Sequence, residues 1–289
     1  MDGHREPAVH GAAAPERNDG MPTMRIDFQD LPVGARAAVE ALTGRIHSAA
    51  SVTTGLNSSV AARLHTASGK VFCKALPATH RWVWTQQREA DIAPHLYGVA
   101  PALVARLAVD GWDIVLFEAL DGHTADFSPG SPDLLAVVTL LDAIAQTACP
   151  PVELRDIGER LRDYASTPAD LDHFTGSALL HTDLNYANII VDAGRARIVD
   201  WGWASRGAPW LDAAYWVVWL ISAGHDPATA EQWAARTSTW STASGAALLA
   251  FSETQAALWA EISHRDPGDA WSARLANASR CWMDHRRTT

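Results

Sequence analysis

His181-Thr182-Asp183-Leu184-Asn185-Tyr186-Ala187-Asn188-Ile189-Ile190-Val191 is followed, after a short turn, by Ile198-Val199-Asp200-Trp201. The stretch places an Asn five residues after Asp183 and a second Asp twelve residues after that Asn. Transfer of a phosphoryl group needs a carboxylate that orients and deprotonates the attacking hydroxyl, and oxygen ligands that hold Mg²⁺ against the phosphates. The pattern therefore predicts phosphoryl transfer, with Asp183 as the catalytic base and Asn188 and Asp200 as Mg²⁺ ligands.

The two predicted metal ligands border short runs of β-branched residues. Residues 192–196 form a turn signal between 188–191 and 197–200, so the segment predicts a hairpin with both ligands near its ends. The alternative is a hairpin whose polar ends only cap it. The spacing of all three ligand-type residues favours the catalytic interpretation.

On these residues the sequence resembles the aminoglycoside-phosphotransferase-like family of antibiotic phosphotransferases, which are relatives of the protein kinases. The catalytic loop of that family reads roughly H-G-D-x-x-x-x-N, and its metal-binding Asp lies in an I-D-W/F step. The resemblance implies an α+β, protein-kinase-like bilobal fold. This fold has a small N-terminal lobe, with an antiparallel β-sheet and one helix, and a larger, mostly helical C-terminal lobe. It also implies that His181 braces the loop and does not catalyse.

Two positions depart from the family pattern. Thr182 replaces the usual Gly, and Asn185 stands where many relatives have His and protein kinases have Lys. The second change removes a cation that could contact the transferring phosphate. We expect it to alter the rate or the acceptor preference.

In the family that the chain resembles, the turn after the first strand lies over the nucleotide phosphates, and the third strand delivers a lysine to them. The turn 54–59 and the strand-like run 71–75 occupy these places, which implies that Ser58, Ser59 and Lys74 bind the nucleotide. Only two residues of the chain are lysines, Lys70 and Lys74. Taken alone, the turn also fits an ordinary hairpin connection, and Lys74 fits a solvated edge-strand lysine.

The next segments predict a helix and a second pair of strands. Residues 80–96 mix Trp, Ile and Ala with Gln, Arg and Glu, as an amphipathic helix does. A kinase-like site needs a carboxylate that holds the strand lysine, and the resemblance assigns this role to Glu89; the alternative is a surface Glu. Two strand-like runs follow around the turn signal Asp110-Gly111. At their end, the resemblance implies adenine contacts by the backbone of Glu118 and Leu120.

We expect four regions along the chain: a disordered tail (1–25), a nucleotide-binding lobe (26–118), a hinge (119–123) and a catalytic and substrate-binding lobe (124–289). The segment that ends at Asp212 resembles the family's G-x-P-x-x-D, which implies that Asp212 braces the catalytic loop. Only twelve residues separate Asp200 from Asp212. This leaves no room for a long activation loop, so a small-molecule acceptor is favoured over a peptide.

Composition excludes several classes. The formal net charge of −10 argues against an extended nucleic-acid surface. No apolar run is long enough to span a bilayer, and no secretory-signal pattern is present, so we expect a cytoplasmic protein without membrane contact. Three cysteines without a repeating spacing argue against disulfides and a zinc site. We expect a monomer or weak homodimer.

The sequence thus predicts an enzyme that moves the γ-phosphate of ATP or GTP, with Mg²⁺, to a hydroxyl of an antibiotic (an aminoglycoside or another) or of a related metabolite, in resistance or self-protection. Two alternatives stay open: a catalytically quiet, nucleotide-binding regulatory protein, and a metabolic sugar or amino-alcohol kinase. The chain has thirteen tryptophans. Most must be core, and candidates for the wall of an acceptor pocket are Trp203, Trp210, Trp271 and Trp282.

Overall fold

A five-stranded antiparallel sheet forms the centre of the N-terminal part in the computed structural model, which describes residues 25–52 and 58–289. Most of the predicted tail and part of the predicted phosphate-binding turn, residues 1–24 and 53–57, lie outside the described residues. The chain divides into two units. Gly122–Ile198 and Trp203–Thr289 belong to one, and the described residues up to Asp121 belong to the other together with Val199–Gly202.

The N-terminal unit contains two helices and the five-stranded sheet. Its elements are α1 (Val33–Thr43), β1 (Ile46–Ser51), β2 (Val60–Thr66), β3 (Gly69–Pro77), α2 (Val83–Ile92), β4 (Leu103–Val109) and β5 (Trp112–Glu118). The strand order is β1-β2-β3-β5-β4, with every neighbouring pair antiparallel. Asp110 and Gly111, with φ of 49° and 77°, connect β4 to β5. This is the tight hairpin turn that the Asp-Gly pair predicts.

The two helices cover opposite faces of the sheet. Successive side chains of a strand point to opposite sides, so β5 is buried on both of its faces. Ile114 and Leu116 pack in one cluster with Ala35 of α1. Val115 and Phe117 pack in another with residues at the end of α2 and just after it. Helix α1 was not predicted, because its Ala-rich run lacks a side-chain cap at its N-terminus.

The C-terminal unit is mostly helical. Its elements are β6 (His123–Thr124), α3 (Asp133–Gln146), β7 (Arg155–Asp156), α4 (Ile157–Leu161), β8 (Ala178–Leu180), β9 (Ile189–Asp192), β10 (Arg195–Ile198), β11 (Ser205–Gly207), α5 (Leu211–Ser222), α6 (Pro227–Ala234), α7 (Gly245–Arg265) and α8 (Ala270–Arg286). Ten of the twelve residues of α5 are buried, so this helix is the core of the unit. Helix α8 packs against α5 and α7. Asp226 caps α6 by accepting from the Thr229 N–H, and Pro227 follows it at the first helical position.

Two small sheets hold the loops that matter for the site. The predicted hairpin is present as β9 and β10, and its sheet has the order β10-β9-β6. The other sheet has the order β7-β11-β8, with Ser205 opposite Leu180. These short strands fix the chain on both sides of residues 181–188. Together, one antiparallel sheet and a mostly helical second unit confirm the α+β prediction.

No helix among residues 25–52 and 58–289 is long and apolar enough to cross a membrane.

Candidate active site

Strand register directs Lys74 toward α2. Lys74 is paired with Val115 in the sheet, so it lies on the face that α2 covers. Its Nζ is 2.9 and 2.8 Å from the two carboxylate oxygens of Glu89 on that helix. The side chains of Lys74 and Glu89 are only 12% and 7% exposed. The structure therefore brings Lys74 and Glu89 together in the way the resemblance implied, and Glu89 is not a surface residue.

Asp200 also contacts the lysine, because the Lys74 Nζ lies 3.2 Å from Asp200 Oδ1. Burial alone would lower the pKa of Lys74, but the carboxylates of Asp200 and Glu89 outweigh it, and the net pKa is raised. Lys74 is thus a fixed cation at neutral pH. The pKa of Glu89 is raised by burial, an effect that the ammonium of Lys74 opposes.

A buried polar cluster holds α2 in place. Gln86 lies one turn before Glu89 on the helix, and its Nε2 donates to the backbone oxygen of Asp113 and to Asp113 Oδ1, at 3.1 and 2.9 Å. Arg106 donates to Asp113 Oδ2 from Nε and from NH2. Since Asp113 is 4% exposed, its negative charge needs these partners. The cluster ties α2 to strand β5 and so helps to position Glu89.

The other half of the predicted site lies in the C-terminal unit. Asp183 is 3% exposed, and its Oδ2 accepts from Asn188 Nδ2 at 2.9 Å. Asn185 stabilises the turn in between, because its Oδ1 accepts from the Ala187 N–H. A carboxamide whose nitrogen is used in this way presents its oxygen to a different neighbour. The contact therefore orients the Asp183 carboxylate through the amide nitrogen of Asn188, and the metal-binding role of the amide oxygen stays a prediction.

His181 and Asp212 hold the backbone of the loop. The carboxylate of Asp212 accepts from the N–H groups of His181 and Thr182, both at 2.9 Å. The Asp183 N–H donates to His181 Nδ1 at 3.2 Å. These residues are fully or almost fully buried. The structure thus places Asp212 of α5 against the loop that carries His181, Asp183 and Asn188.

Burial of Asp212 changes its titration. Burial raises the pKa of Asp212 to about 6, although the two N–H donors and the guanidinium of Arg160 act in the opposite direction. The nearby Tyr215 hydroxyl stays neutral, since burial also raises its pKa. The brace of the loop is thus a carboxylate that can take up a proton at mildly acidic pH.

Two residues of the site have left-handed backbone conformations. Thr182 has φ of 69° and Asp200 has φ of 70°, and only two other non-glycine residues of the described chain have positive φ. A non-glycine residue in this region stores strain of about 1–3 kcal/mol, and such strain clusters at functional sites. Where the family pattern has Gly, Thr182 thus keeps the conformation that Gly adopts easily.

Arg160 also contacts this loop, and it was not predicted. This residue lies on α4, is 6% exposed, and donates from NH1 to Thr182 Oγ1 and to the Trp203 backbone oxygen, both at 2.9 Å. It also donates to Ser205 Oγ. No sequence signal marks it, since it stands in a short, charged stretch far from the motif.

Ser58 and Ser59 are the predicted phosphate contacts in the turn before β2. Ser58 and Ser59 are buried directly before β2, and their backbone oxygens accept from Arg25 NH1 and the Ile26 N–H. Their role at the phosphates stays a prediction.

The predicted adenine contacts lie where β5 ends. The N–H of Glu118 donates to the Ala102 oxygen, and the Leu120 oxygen accepts from Arg63 NH2 at 2.8 Å. The N–H of Glu118 is therefore already paired within the chain. The adenine contacts of Glu118 and Leu120 stay a prediction.

The donor chemistry fits a hard divalent cation. Asn188 supplies an amide oxygen and Asp200 a carboxylate, and Mg²⁺ is typically held by one or two such protein ligands together with phosphate oxygens and water. Among the described residues, no group of three or more His, Cys, Asp or Glu side chains could hold a metal ion by itself. The role of Asn188 and Asp200 as Mg²⁺ ligands stays a prediction.

Three of the tryptophans suggested for an acceptor pocket are core residues. Trp203, Trp210 and Trp282 are 7%, 3% and 0% exposed. Trp271 is half-buried and packs against Trp219, whose ring also meets Tyr186 at 6.3 Å. Tyr186 lies in the catalytic loop and is 46% exposed. Tyr186 therefore presents accessible aromatic surface on the loop. It was not among the residues suggested for an acceptor pocket.

Comparison with known proteins supports the fold. No protein-family profile and no curated protein sequence matches the chain. Solved structures do match. The choline kinase LicA from Streptococcus pneumoniae has a TM-score of 0.59 at 12% identity, covering 88% of this chain and 98% of its own. An aminoglycoside phosphotransferase from Alicyclobacillus acidocaldarius has a TM-score of 0.58 at 12% identity, covering 89% and 96%.

A third structure was solved with ligands. It is a thermostable mutant of the aminoglycoside phosphotransferase APH(4)-Ia in a ternary complex with AMP-PNP and hygromycin B, with a TM-score of 0.57 at 15% identity, covering 86% and 99%. These similarities confirm the protein-kinase-like fold of the aminoglycoside phosphotransferases.

Proposed function

We propose that the protein is a small-molecule O-phosphotransferase that moves the γ-phosphate of ATP or GTP, with Mg²⁺, to a hydroxyl of an antibiotic or a related metabolite. The observation that carries the proposal is the contact between Asp183 and Asn188 on a loop that Asp212 braces. It supplies an oriented carboxylate in a fold that phosphotransferases share. We further propose that residues 26–118 bind the nucleotide, 119–123 act as a hinge and 124–289 carry catalysis and acceptor binding, in a cytoplasmic monomer or weak homodimer.

In this proposal Asp183 orients the acceptor hydroxyl and takes up its proton. With Oδ2 held by Asn188, the carboxylate is fixed in orientation, so it can accept the hydroxyl proton while the oxygen attacks in line. Positioning matters at least as much as basicity, because the transition state of phosphoryl transfer is loose. The buried surroundings of Asp183 keep this orientation.

In this proposal Lys74 binds the phosphates of the nucleotide. Glu89 anchors the lysine and Asp200 neutralises it further, so the cation is held in one place before any nucleotide arrives. Preorganised charge of this kind costs no reorganisation during the reaction. When bound through Asn188 and Asp200, Mg²⁺ would neutralise charge on the phosphate oxygens.

The acceptor is proposed to be small. The segment from Asp200 to Asp212 contains only a 3₁₀ turn and the short strand β11 before α5 begins at Leu211. A peptide substrate of a protein kinase needs a longer platform at this position. The neighbours described above include enzymes named for aminoglycosides and for choline, so both polyamine antibiotics and amino alcohols belong in a test panel.

The test is a product-mass screen. Purified protein is incubated with Mg²⁺ and with ATP or GTP against aminoglycosides including hygromycin B, peptide antibiotics, nucleosides, macrolides and choline. We expect one class to gain a phosphoryl group, and the same reaction to fail with Asp183→Asn. Absence of any product, combined with nucleotide binding seen by calorimetry, would instead support the quiet nucleotide-binding protein.

A further inference from the structure

A buried arginine joins the catalytic loop to the segment that follows the metal-ligand hairpin. The sheet β7-β11-β8 sets this up, because Arg160 lies on α4 directly after β7, and Ser205 begins β11 opposite Leu180 of β8. One strand of this sheet leads into His181. The guanidinium is therefore enclosed where three chain segments meet.

The hydrogen bonds of Arg160 converge on these segments. NH1 donates to the hydroxyl of Thr182 and to the backbone oxygen of Trp203, and it also donates to the hydroxyl of Ser205. The Ser205 hydroxyl donates in turn to the Trp203 oxygen at 3.0 Å. The guanidinium carbon lies 5.8 Å from the centre of the Trp203 ring. A buried guanidinium with such partners is held in place, because a buried polar group that loses its hydrogen-bond partner is costly.

The contact to Thr182 has a particular consequence. Thr182 precedes Asp183, and its φ of 69° is a conformation that a β-branched residue avoids. A Gly at this position would need no support, whereas Thr offers a hydroxyl that the guanidinium can hold. Arg160 and Thr182 thus form a matched pair that the usual family pattern does not require.

We propose that Arg160 is a positioning residue for phosphoryl transfer: it holds Thr182 in the left-handed conformation and so fixes the direction of the Asp183 carboxylate. Arg160 does not touch the reacting atoms and acts through Thr182. The catalytic consequence rests on the proposed function. The structural consequence, a catalytic loop that Arg160 keeps closed, does not.

Backbone hydrogen exchange tests the structural part. The N–H groups of His181 and Thr182 donate to Asp212 and so report whether the loop is closed. In Arg160→Met we expect them to exchange roughly tenfold faster or more, as loss of a charge-assisted hydrogen bond implies. Arg162→Met is the matched control, since Arg162 is exposed in the residue after α4, and we expect it to leave exchange unchanged. Equal exchange in the two variants would overturn the proposal.

Substitutions at Thr182 show whether Arg160 acts through this residue. Thr182→Val keeps the β-branched shape but removes the hydroxyl, and should open the loop as Arg160→Met does, which also covers the case that Arg160→Met does not fold. In a Thr182→Gly background, the added Arg160→Met change should accelerate exchange of the His181 N–H by a smaller factor than in the wild type. If Arg160→Met accelerated exchange by the same factor in the wild type and in Thr182→Gly, or accelerated it at all protected N–H groups, Arg160 would act only through global stability.

Kinetics separate positioning from a structural role once an acceptor is known. With that acceptor, Arg160→Met should lower kcat by roughly tenfold or more while the KM for nucleotide stays within about twofold, because the lysine site is unchanged. Arg160→Lys keeps the charge and an N–H donor and should recover part of kcat. A loss confined to KM would contradict the assignment. If no acceptor is found, exchange still decides the role of Arg160, and only the proposed function fails.

Discussion

Lys74 Nζ lies 2.8 Å from Glu89 Oε2 and 3.2 Å from Asp200 Oδ1, so one ammonium holds two carboxylates that would otherwise repel each other. The arrangement links strand β3, helix α2 and the segment after β10. The burial shows that the Lys74 ammonium is kept in position, as the proposed phosphate-binding role requires, because a lysine needed only for solubility would be exposed. Lys70, on the same strand, is such a lysine, since its side chain is 43% exposed.

The two lysines provide a matched pair of variants. Lys74→Met should lower kcat/KM by roughly 100-fold or more, as loss of a preorganised charge at a transferring phosphate does. It should also reduce the free energy of unfolding by about 3 kcal/mol, because the buried Glu89 and the half-buried Asp200 are left without their cation. Lys70→Met should change neither quantity measurably, since its ion pair with Asp121 is exposed. Similar results for both variants in kinetics and urea unfolding would remove Lys74 from the site.

Asp183→Asn tests the proposed base. The variant keeps the size of the side chain but cannot accept a proton, and we expect kcat to fall by roughly 10²–10⁴-fold. Nucleotide affinity measured by calorimetry should stay the same, because Lys74, Glu89 and Asp200 are untouched. Asp192→Asn, at the exposed end of β9, is the control of equal chemistry and should be fully active. Turnover by Asp183→Asn at the normal rate would contradict the mechanism.

The sequence predicted best those features that depend on residues close together in the chain. The hairpin β9–β10 and the turn at Asp110-Gly111 follow from local residue chemistry, and the structure has both. The pairing of Lys74 with Glu89 was implied by resemblance, and the strand register explains it physically. These features rest on short patterns with a definite geometry.

Other features depend on contacts between distant segments, which one sequence does not display. Arg160 reaches residues 22 to 45 positions away, and nothing in its neighbourhood distinguishes it from the exposed Arg162. The support of α2 by Asp113 is of the same kind. The tryptophan candidates illustrate a related limit of a single sequence: a tryptophan is equally compatible with the core and with a pocket wall, and the structure shows that Trp203, Trp210 and Trp282 are buried.

Gly202 allows α2 to lie close to the residues that follow Asp200. A Cβ atom at this position would come within 2.8 Å of Thr85 Cβ and 3.2 Å of the Thr85 oxygen, both on α2. The first distance is too short for two carbon atoms, so Gly202→Ala must displace the helix that carries Glu89. We expect weaker nucleotide binding, by roughly tenfold, together with a loss of stability of about 1–3 kcal/mol from overpacking.

The control for this change is Gly268→Ala, where the nearest atom would be 3.6 Å away. That variant should bind nucleotide normally in calorimetry and unfold at the same urea concentration as the wild type. If Gly202→Ala also bound and unfolded normally, α2 would not need its present distance from this segment. The link between Gly202 and the position of Glu89 would then be wrong.

The pH dependence of the reaction should reveal Asp212. Burial raises its pKa to about 6 in the folded protein, whereas an unfolded Asp titrates near about 3.9. Between these two values the folded chain binds a proton that the unfolded chain does not. For this group, the free energy of unfolding therefore rises as the pH falls through about 6. Acidification should not unfold the protein through Asp212, and its effect should be seen in the loop.

The ionised carboxylate accepts from both the His181 and the Thr182 N–H, and a protonated carboxyl is a poorer acceptor at one of its oxygens. We expect kcat to decrease below about pH 6 while urea unfolding shows no matching loss. Asp212→Asn should have low activity at every pH and lack this inflection. Asp226→Asn, at an exposed helix cap, should keep it. An inflection that survives in Asp212→Asn would belong to a different group, and Asp212 would then brace the loop without controlling its pH response.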